Sequence, residues 1–222
     1  MLPTHALSGM VLALPVVAVA PEFAPVALVA GLLGGIVPDL DMYAGHRKAL
    51  HFPVYYSVLA TAATLLALLV PTTATVAVAV FLLAAALHSV ADVFGSGLEL
   101  RPWEGTSDRA VYDHYRGTWI APRRLIRYDG SPGDLLLSIA LSIPLLLALD
   151  GTLRWIVVVA VAVGATYTAL RRVLADLAPV IVGLLPASAL PYVPDRYVPD
   201  RYVSDLPIAE PEPDRSGRPF SR

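Results

Sequence analysis

Cysteine is absent from the 222-residue chain, and lysine occurs once, at Lys48. Without thiols there is no disulfide and no thiolate ligand, so any bound metal must be held by imidazole and carboxylate. Charge is scarce too, at 15% of residues against 56% hydrophobic, with a mean hydropathy of +0.65. A soluble domain of this length has no use for so much apolar surface, and the surplus predicts contact with lipid. With a net charge of -2 and no basic excess, the chain carries no electrostatic footprint for nucleic acid.

What is present is a series of apolar stretches. Pro53 to Leu87 runs for 35 residues without a charged side chain or histidine, too long for one span of roughly 20 residues and sufficient for two. Ala6 to Pro21 and Phe23 to Pro38, parted by Glu22, predict a first helical hairpin; Val54 to Val70 and Thr75 to Val90, turned by Pro71-Thr72-Thr73, predict a second. Leu135 to Leu149 and Trp155 to Leu170, around Asp150-Gly151, predict a third, and Arg171-Arg172 is expected to stop its second helix at the interface. A cleaved signal peptide is the competing reading of the first stretch, but the basic start that such a peptide needs is missing. Leu174 to Leu190, interrupted by Asp176, Pro179, Gly183 and Pro186, is compatible with a seventh span, a re-entrant segment or a surface helix.

The expected fold class is therefore all-α, a polytopic membrane bundle of six or seven short helices over residues 1–190. A polar loop at 92–134 breaks the bundle, and a tail follows at 191–222. The tail repeats Tyr192-Val193-Pro194-Asp195-Arg196 as Tyr197-Val198-Pro199-Asp200-Arg201, then becomes Pro-rich and charged, so it is expected to be disordered. If each hairpin begins and ends on one side, the N-terminus, the 39–52 loop, the 92–134 loop and Arg171-Arg172 share a membrane face. The arginines concentrate there, and the positive-inside rule assigns that face to the cytoplasm.

In this topology the chain reaches the same face three times and delivers imidazole or carboxylate each time. His5 opens the first helix, Asp39 and Asp41 follow the second, His46 and His51 lie in the next loop, and His88 and Asp92 close the fourth. His88 and Asp92 are four apart and share a helix face. Pro38 is expected to end the second helix and leave Asp39 and Asp41 on non-helical backbone. Ionisable groups at membrane depth are costly and tend to be functional. The seven residues His5, Asp39, Asp41, His46, His51, His88 and Asp92 are thus the candidate ligands of a divalent metal, zinc first, with manganese and iron as alternatives. Their number leaves room for two ions. His114, between Asp113 and Tyr115, is read as a surface histidine, and Glu99 and Glu104 as solvated loop acids.

The ordered set Thr4-His5-x-x-x-Gly9, Pro38-Asp39-Leu40-Asp41, His46-Arg47-x-x-x-His51, His88-x-x-x-Asp92 and Gly95-x-Gly97 before Pro102 resembles the YdjM-like family of inner-membrane metal-dependent hydrolases. The resemblance covers about residues 1–105. The arginine-rich continuation through Trp103-Glu104, Tyr112-Asp113-His114 and Arg123-Arg124 is similar to haloarchaeal members. The chain departs from the commoner form at Lys48, where glycine is usual, and at Leu50 and Phe52, where small hydroxyl residues are usual. The resemblance implies a small multi-span membrane hydrolase and fixes no substrate. From the donor set itself, the expectation is a metal-activated water that attacks a phosphoester or acyl carbon of a small or lipid-like substrate at the cytoplasmic face. Asp39 or Asp41 would bridge ions or take the proton, and Arg47 would either clamp a phosphate or serve as a positive-inside anchor. Two other readings stay open. One is a transition-metal transporter, and the other is a non-catalytic protein whose metal ties helix ends together.

Overall fold

A computed structural model describes residues 2–43 and 45–198 of the chain. Six helices follow in order: α1 (Leu2–Val19), α2 (Ala24–Ile36), α3 (Pro53–Leu69), α4 (Thr73–Ala91), α5 (Pro132–Ala148) and α6 (Gly151–Val182). They pair as the hydropathy predicts, α1 with α2, α3 with α4 and α5 with α6, in an all-α membrane bundle. Four segments are long and apolar enough to cross a bilayer: Leu2–Val19, Pro21–Met42, Thr73–Phe94 and Gly151–Val182. Helices α3 and α5 are apolar but shorter, at 17 residues each, or about 26 Å at the rise of an α-helix.

Local chemistry places the turns. Thr72 caps α4 by accepting from the Thr75 amide while the Thr75 hydroxyl accepts from the Thr72 amide, a reciprocal capping box at the tip of the second hairpin. Ser131 caps α5 by accepting from the Asp134 amide. Leucine, valine and alanine cover the outward faces, with Leu68, Leu69, Leu147 and Trp155 among the most exposed side chains. The buried core lies between α1, α2, α4, α5 and α6, around Leu7, Met10, Leu28, Val80, Leu145 and Val157. Helix α3 packs mainly on α4 and buries little itself.

Lipid is as apolar as leucine, so close backbone approach through small residues, not apolar burial, favours association of such helices. Here glycines make it possible. A Cβ at Gly9 would meet the Gly31 carbonyl and one at Gly31 the Gly9 carbonyl; one at Gly35 would meet the His5 carbonyl, and one at Gly34 the Phe81 carbonyl. The α1–α2 and α2–α4 contacts are therefore backbone against backbone at the end of the bundle where the histidines lie.

Three expectations are corrected. Pro38 does not end helical winding after α2, because Val37–Tyr43 continues as a 3₁₀ segment; proline is tolerated in the first turn of a helical stretch, where its missing N–H costs nothing. Arg171-Arg172 does not stop the last helix, which runs unbroken for 32 residues, about 48 Å and so longer than the roughly 30 Å hydrocarbon core. Arginine is a good helix former, and Arg171 is satisfied in place, pairing Nε with Asp129 Oδ2 at 3.5 Å and donating to the Leu100 carbonyl at 3.2 Å. The polar loop also holds a short antiparallel hairpin, β1 (Val111–Asp113) and β2 (Thr118–Ile120). Of the expected tail, residues 191–198 include a 3₁₀ turn at Asp195–Tyr197, and 199–222 lie outside the described residues.

Substituting Gly35→Ala is expected to lower stability by about 1–3 kcal/mol, the usual cost of overpacking a tight contact. Gly133→Ala, with its nearest contact at 3.8 Å, should stay within about 0.5 kcal/mol of the parent. Thermal melts of the two variants in one detergent compare them directly.

Candidate metal centre

Helix ends converge on this face from three directions. His51 lies two residues before α3, His88 sits one turn before the end of α4, Asp92 follows α4, and Asp39 lies in the 3₁₀ segment after α2. One ligand atom from each of Asp39, His51, His88 and Asp92 lies within 4.8 Å of the other three. His51, His88 and Asp92 are buried, while Asp39 keeps 16% of its side chain exposed.

The hydrogen bonds determine which imidazole atoms face this group. His88 Nδ1 is 2.7 Å from the Gly35 carbonyl. A carbonyl can only accept, so Nδ1 carries the proton, and in the neutral ring Nε2 presents a lone pair. Nε2 is buried without a hydrogen-bond partner, 3.5 Å from Asp39 Oδ1 and 3.7 Å from Asp92 Oδ2. His51 donates from Nδ1 to Asp41 Oδ2 at 2.9 Å and turns Nε2 to Asp92 Oδ2 at 3.2 Å. With His51 Nε2 deprotonated, as ligation requires, two imidazole nitrogens and two carboxylate oxygens would present electron pairs to one cation. A divalent cation satisfies such a set, and two histidines with two carboxylates suit zinc, manganese or iron. The donor set fits a metal.

The other predicted ligands are brought to the same place but serve the four. Asp41, 2% exposed, accepts from His51 Nδ1, from the Leu50 and Arg47 amides at 3.1 and 3.2 Å, and pairs with His46 Nδ1 at 3.0 Å. Fully engaged, it orients His51 instead of ligating or taking a proton, the outer carboxylate of a carboxylate–histidine–metal arrangement. His5 stacks on His88 with ring centroids 3.9 Å apart and places Nε2 3.0 Å from Asp92 Oδ1, holding the oxygen that points away from the group. His46 reaches only Asp41 among these carboxylates at hydrogen-bond distance. Among the described residues one set of four donors converges, where the sequence left room for two ions. His114 donates to the Lys48 carbonyl at 2.7 Å and lies outside the group.

Arg47 is the structural surprise of the loop. It sits at φ 60°, a left-handed conformation uncommon outside glycine, with its backbone carbonyl accepting from the Tyr112 amide of β1 at 2.9 Å. The side chain is buried, with Nε 3.3 Å from Asp92 Oδ2 and Nη1 donating to the Ser96 carbonyl at 2.6 Å. Burial acts against its charge, and the surrounding carboxylates together, Asp92 foremost with Asp129, Asp39 and Glu99, more than offset that, raising the guanidinium above its ordinary value. Burial likewise lowers His51, but the bonds to Asp41 and Asp92 outweigh it and push the imidazole up to about 9. His46 goes the other way, burial prevailing over Asp41.

A cavity of about 360 Å³ opens beside the group, with His5, Asp39, Asp92 and Arg47 on one wall. Asp129, Tyr167 and Arg171 also line it, with Tyr167 donating to Asp129 Oδ2 at 2.7 Å. None of these three is a candidate site residue in the sequence, where Arg171 reads only as a helix stop; the four-residue spacing of Tyr167 and Arg171 on α6 is the available signal. Glu99, expected as a solvated acid, also lines the cavity, and both its carboxylate oxygens are buried without a hydrogen-bond partner.

Asp41→Asn removes a charge from His51 without touching the four donors, and zinc affinity is expected to fall about 10–100-fold, as for other outer-shell losses. Competition with a chromogenic chelator reads this, and His88→Ala, which deletes a donor, should fall further. Comparison of the chain with protein-family models, with curated proteins and with solved structures finds no match.

Proposed function

We propose that this chain is a membrane-bound, metal-dependent hydrolase acting on a phosphoester or lipid-like substrate at the cytoplasmic membrane face. The observation that carries the reading is the unpartnered His88 Nε2, facing two carboxylates on the wall of a cavity. Four protein donors could close a structural site, but Asp39 is partly exposed on the cavity wall, so that side of the group is reachable by water, as catalytic centres require. The resemblance to the YdjM-like family points the same way.

A divalent ion held by Asp39, His51, His88 and Asp92 supplies Lewis-acid polarisation and lowers the pKa of water. The chain does the rest. Asp39 turns Oδ1 to the histidines and is partly exposed on the cavity wall, so its other oxygen is placed to take the proton from the attacking water and return it to the departing oxygen as the ester bond breaks and the new P–O or C–O bond forms. Arg47 lies beside Asp92 with its fork fixed by Ser96, suited to hold an anionic oxygen of the substrate. Depth argues against transport, whose sites lie near the bilayer midplane, since these donors occupy helix ends and a loop.

Detergent-purified protein is expected to retain zinc, manganese or iron on elemental analysis and to turn over at least one member of a phosphoester and phospholipid panel. His88→Ala should lose both metal and turnover. Bound metal with no turnover, together with uptake of zinc into proteoliposomes, would assign the chain to transport. The natural absence of cysteine makes sidedness testable with single reporters. Arg116→Cys, exposed near the β-hairpin, should label with an impermeant maleimide only in inside-out vesicles, and Thr72→Cys, at the opposite end of the bundle, only in right-side-out cells.

A further inference from the structure

The cavity beside the metal centre has a second character, at the side where α1 meets α6. Leu2 and Val163 line it and are also 41% and 53% exposed on the outer face of the bundle. Pro3 lines the same side and packs at Gly164, the residue next to Val163. The cavity thus has an apolar rim on helices that cross the membrane, at the end of the bundle where α1 begins. The polar wall carries three guanidiniums, Arg47, Arg171 and Arg196. Arg47 and Arg171 each have a carboxylate partner, Asp92 and Asp129. Arg196 Nε is buried with no hydrogen-bond partner, although its guanidinium stacks over Tyr197. Arg196 as a whole is half-buried, and Arg47 Nε likewise makes no hydrogen bond, so each leaves a shielded cationic donor that an anion in the cavity would complete.

As formal charges, four carboxylates on this wall, Asp39, Asp92, Glu99 and Asp129, outnumber the three guanidiniums. One divalent ion in the four-donor group reverses that balance. An anion is therefore favoured in this cavity only beside a bound metal, and a ligand that also has a long apolar part gains from the rim. We infer that the cavity is a binding site for a membrane phospholipid with an exposed phosphate. Such a lipid would enter from the bilayer past Leu2 and Val163 and place its phosphate between Arg196 and the metal centre. This inference rests on the reading of the four donors as a metal centre, and it does not require that the bound lipid be hydrolysed.

The test uses the full chain in nanodiscs and three probes. They are the phosphonate analogue of dioleoyl phosphatidic acid, whose P–C bond resists hydrolysis, dioleoylglycerol with the same tails and no phosphate, and glycerol 3-phosphate with no tails. The lipid phosphonate is expected to bind at least about tenfold more tightly than either partial probe, the difference that one charged hydrogen bond makes. Zinc should tighten it roughly 5–150-fold, and the lipid should tighten zinc by the same factor. Arg196→Gln is expected to weaken the lipid phosphonate about tenfold with zinc content unchanged. Val163→Trp, which fills the rim, should reduce the preference for the lipid over glycerol 3-phosphate about tenfold.

Equal affinity for glycerol 3-phosphate and the lipid, indifference to zinc, or a preference unmoved by Val163→Trp would each overturn the inference. Unchanged zinc content in both variants shows that they fold. If the lipid phosphonate binds as described while no member of the phosphoester and phospholipid panel is turned over, the hydrolase reading fails and the binding site stands. Turnover of soluble phosphoesters without lipid preference has the opposite meaning.

Discussion

The hydrogen bond from His88 Nδ1 to the Gly35 carbonyl joins the packing of the bundle to its chemistry. That carbonyl belongs to a helix whose next contact, through the missing side chain of Gly35, is the backbone of His5 on α1. Gly35 thus sets how near α1 and α2 can come beside His5, as Gly34 does for α2 and α4 at Phe81, and the Gly35 carbonyl settles the tautomer of His88. With Nδ1 committed, Nε2 has nowhere to turn except toward Asp39 and Asp92. In a segment surrounded by lipid there is no water to relieve that commitment, so packing and donor geometry stand or fall together.

A second tier holds the first in place. Asp41 gathers the loop between α2 and α3 by accepting from two backbone amides and one imidazole and pairing with a second, so the loop's conformation and the orientation of His51 share one carboxylate. Arg47 needs a left-handed backbone to bring its fork under Asp92, and the β-hairpin supplies the support by bonding to the Arg47 carbonyl. The polar loop therefore acts as a lid on the bundle that fixes the membrane-face residues from the aqueous side. Helix α6, continuing past the lipid, buttresses that lid through Arg171 with Leu100 and Asp129, and through Arg101 with Asp176 at 2.9 Å.

The conjunction of an electron-rich donor group and an arginine-bearing cavity explains why neither makes sense alone. Without a cation the carboxylates repel one another, and their charge would also disfavour an anion in the cavity. If a divalent ion binds the four donors, metal and anion binding would be coupled through simple electrostatics, with no moving part required.

Much of this was legible in the residues. Apolar stretches and their turns located six helices, since lipid exposure demands uniform hydrophobicity and tolerates few breaks. The hairpin topology alone put His5, Asp39, His51, His88 and Asp92 on one face. Spacing could not say which of seven candidates face one another and which orient them, because that depends on distances between helices set by glycine contacts far apart in the chain. Nor could it show that the helix after Gly151 passes through Arg171-Arg172, because a pair of charges marks where lipid contact ends and not where a good helix former stops winding, and the partners of Arg171 lie in a loop 42 and 71 residues earlier. Composition and order determined a membrane bundle with metal-ligand chemistry at one end; tertiary packing alone decided that four donors converge, that Asp41 and His5 hold them, and that Tyr167, Arg171 and Arg196 wall the cavity beside them.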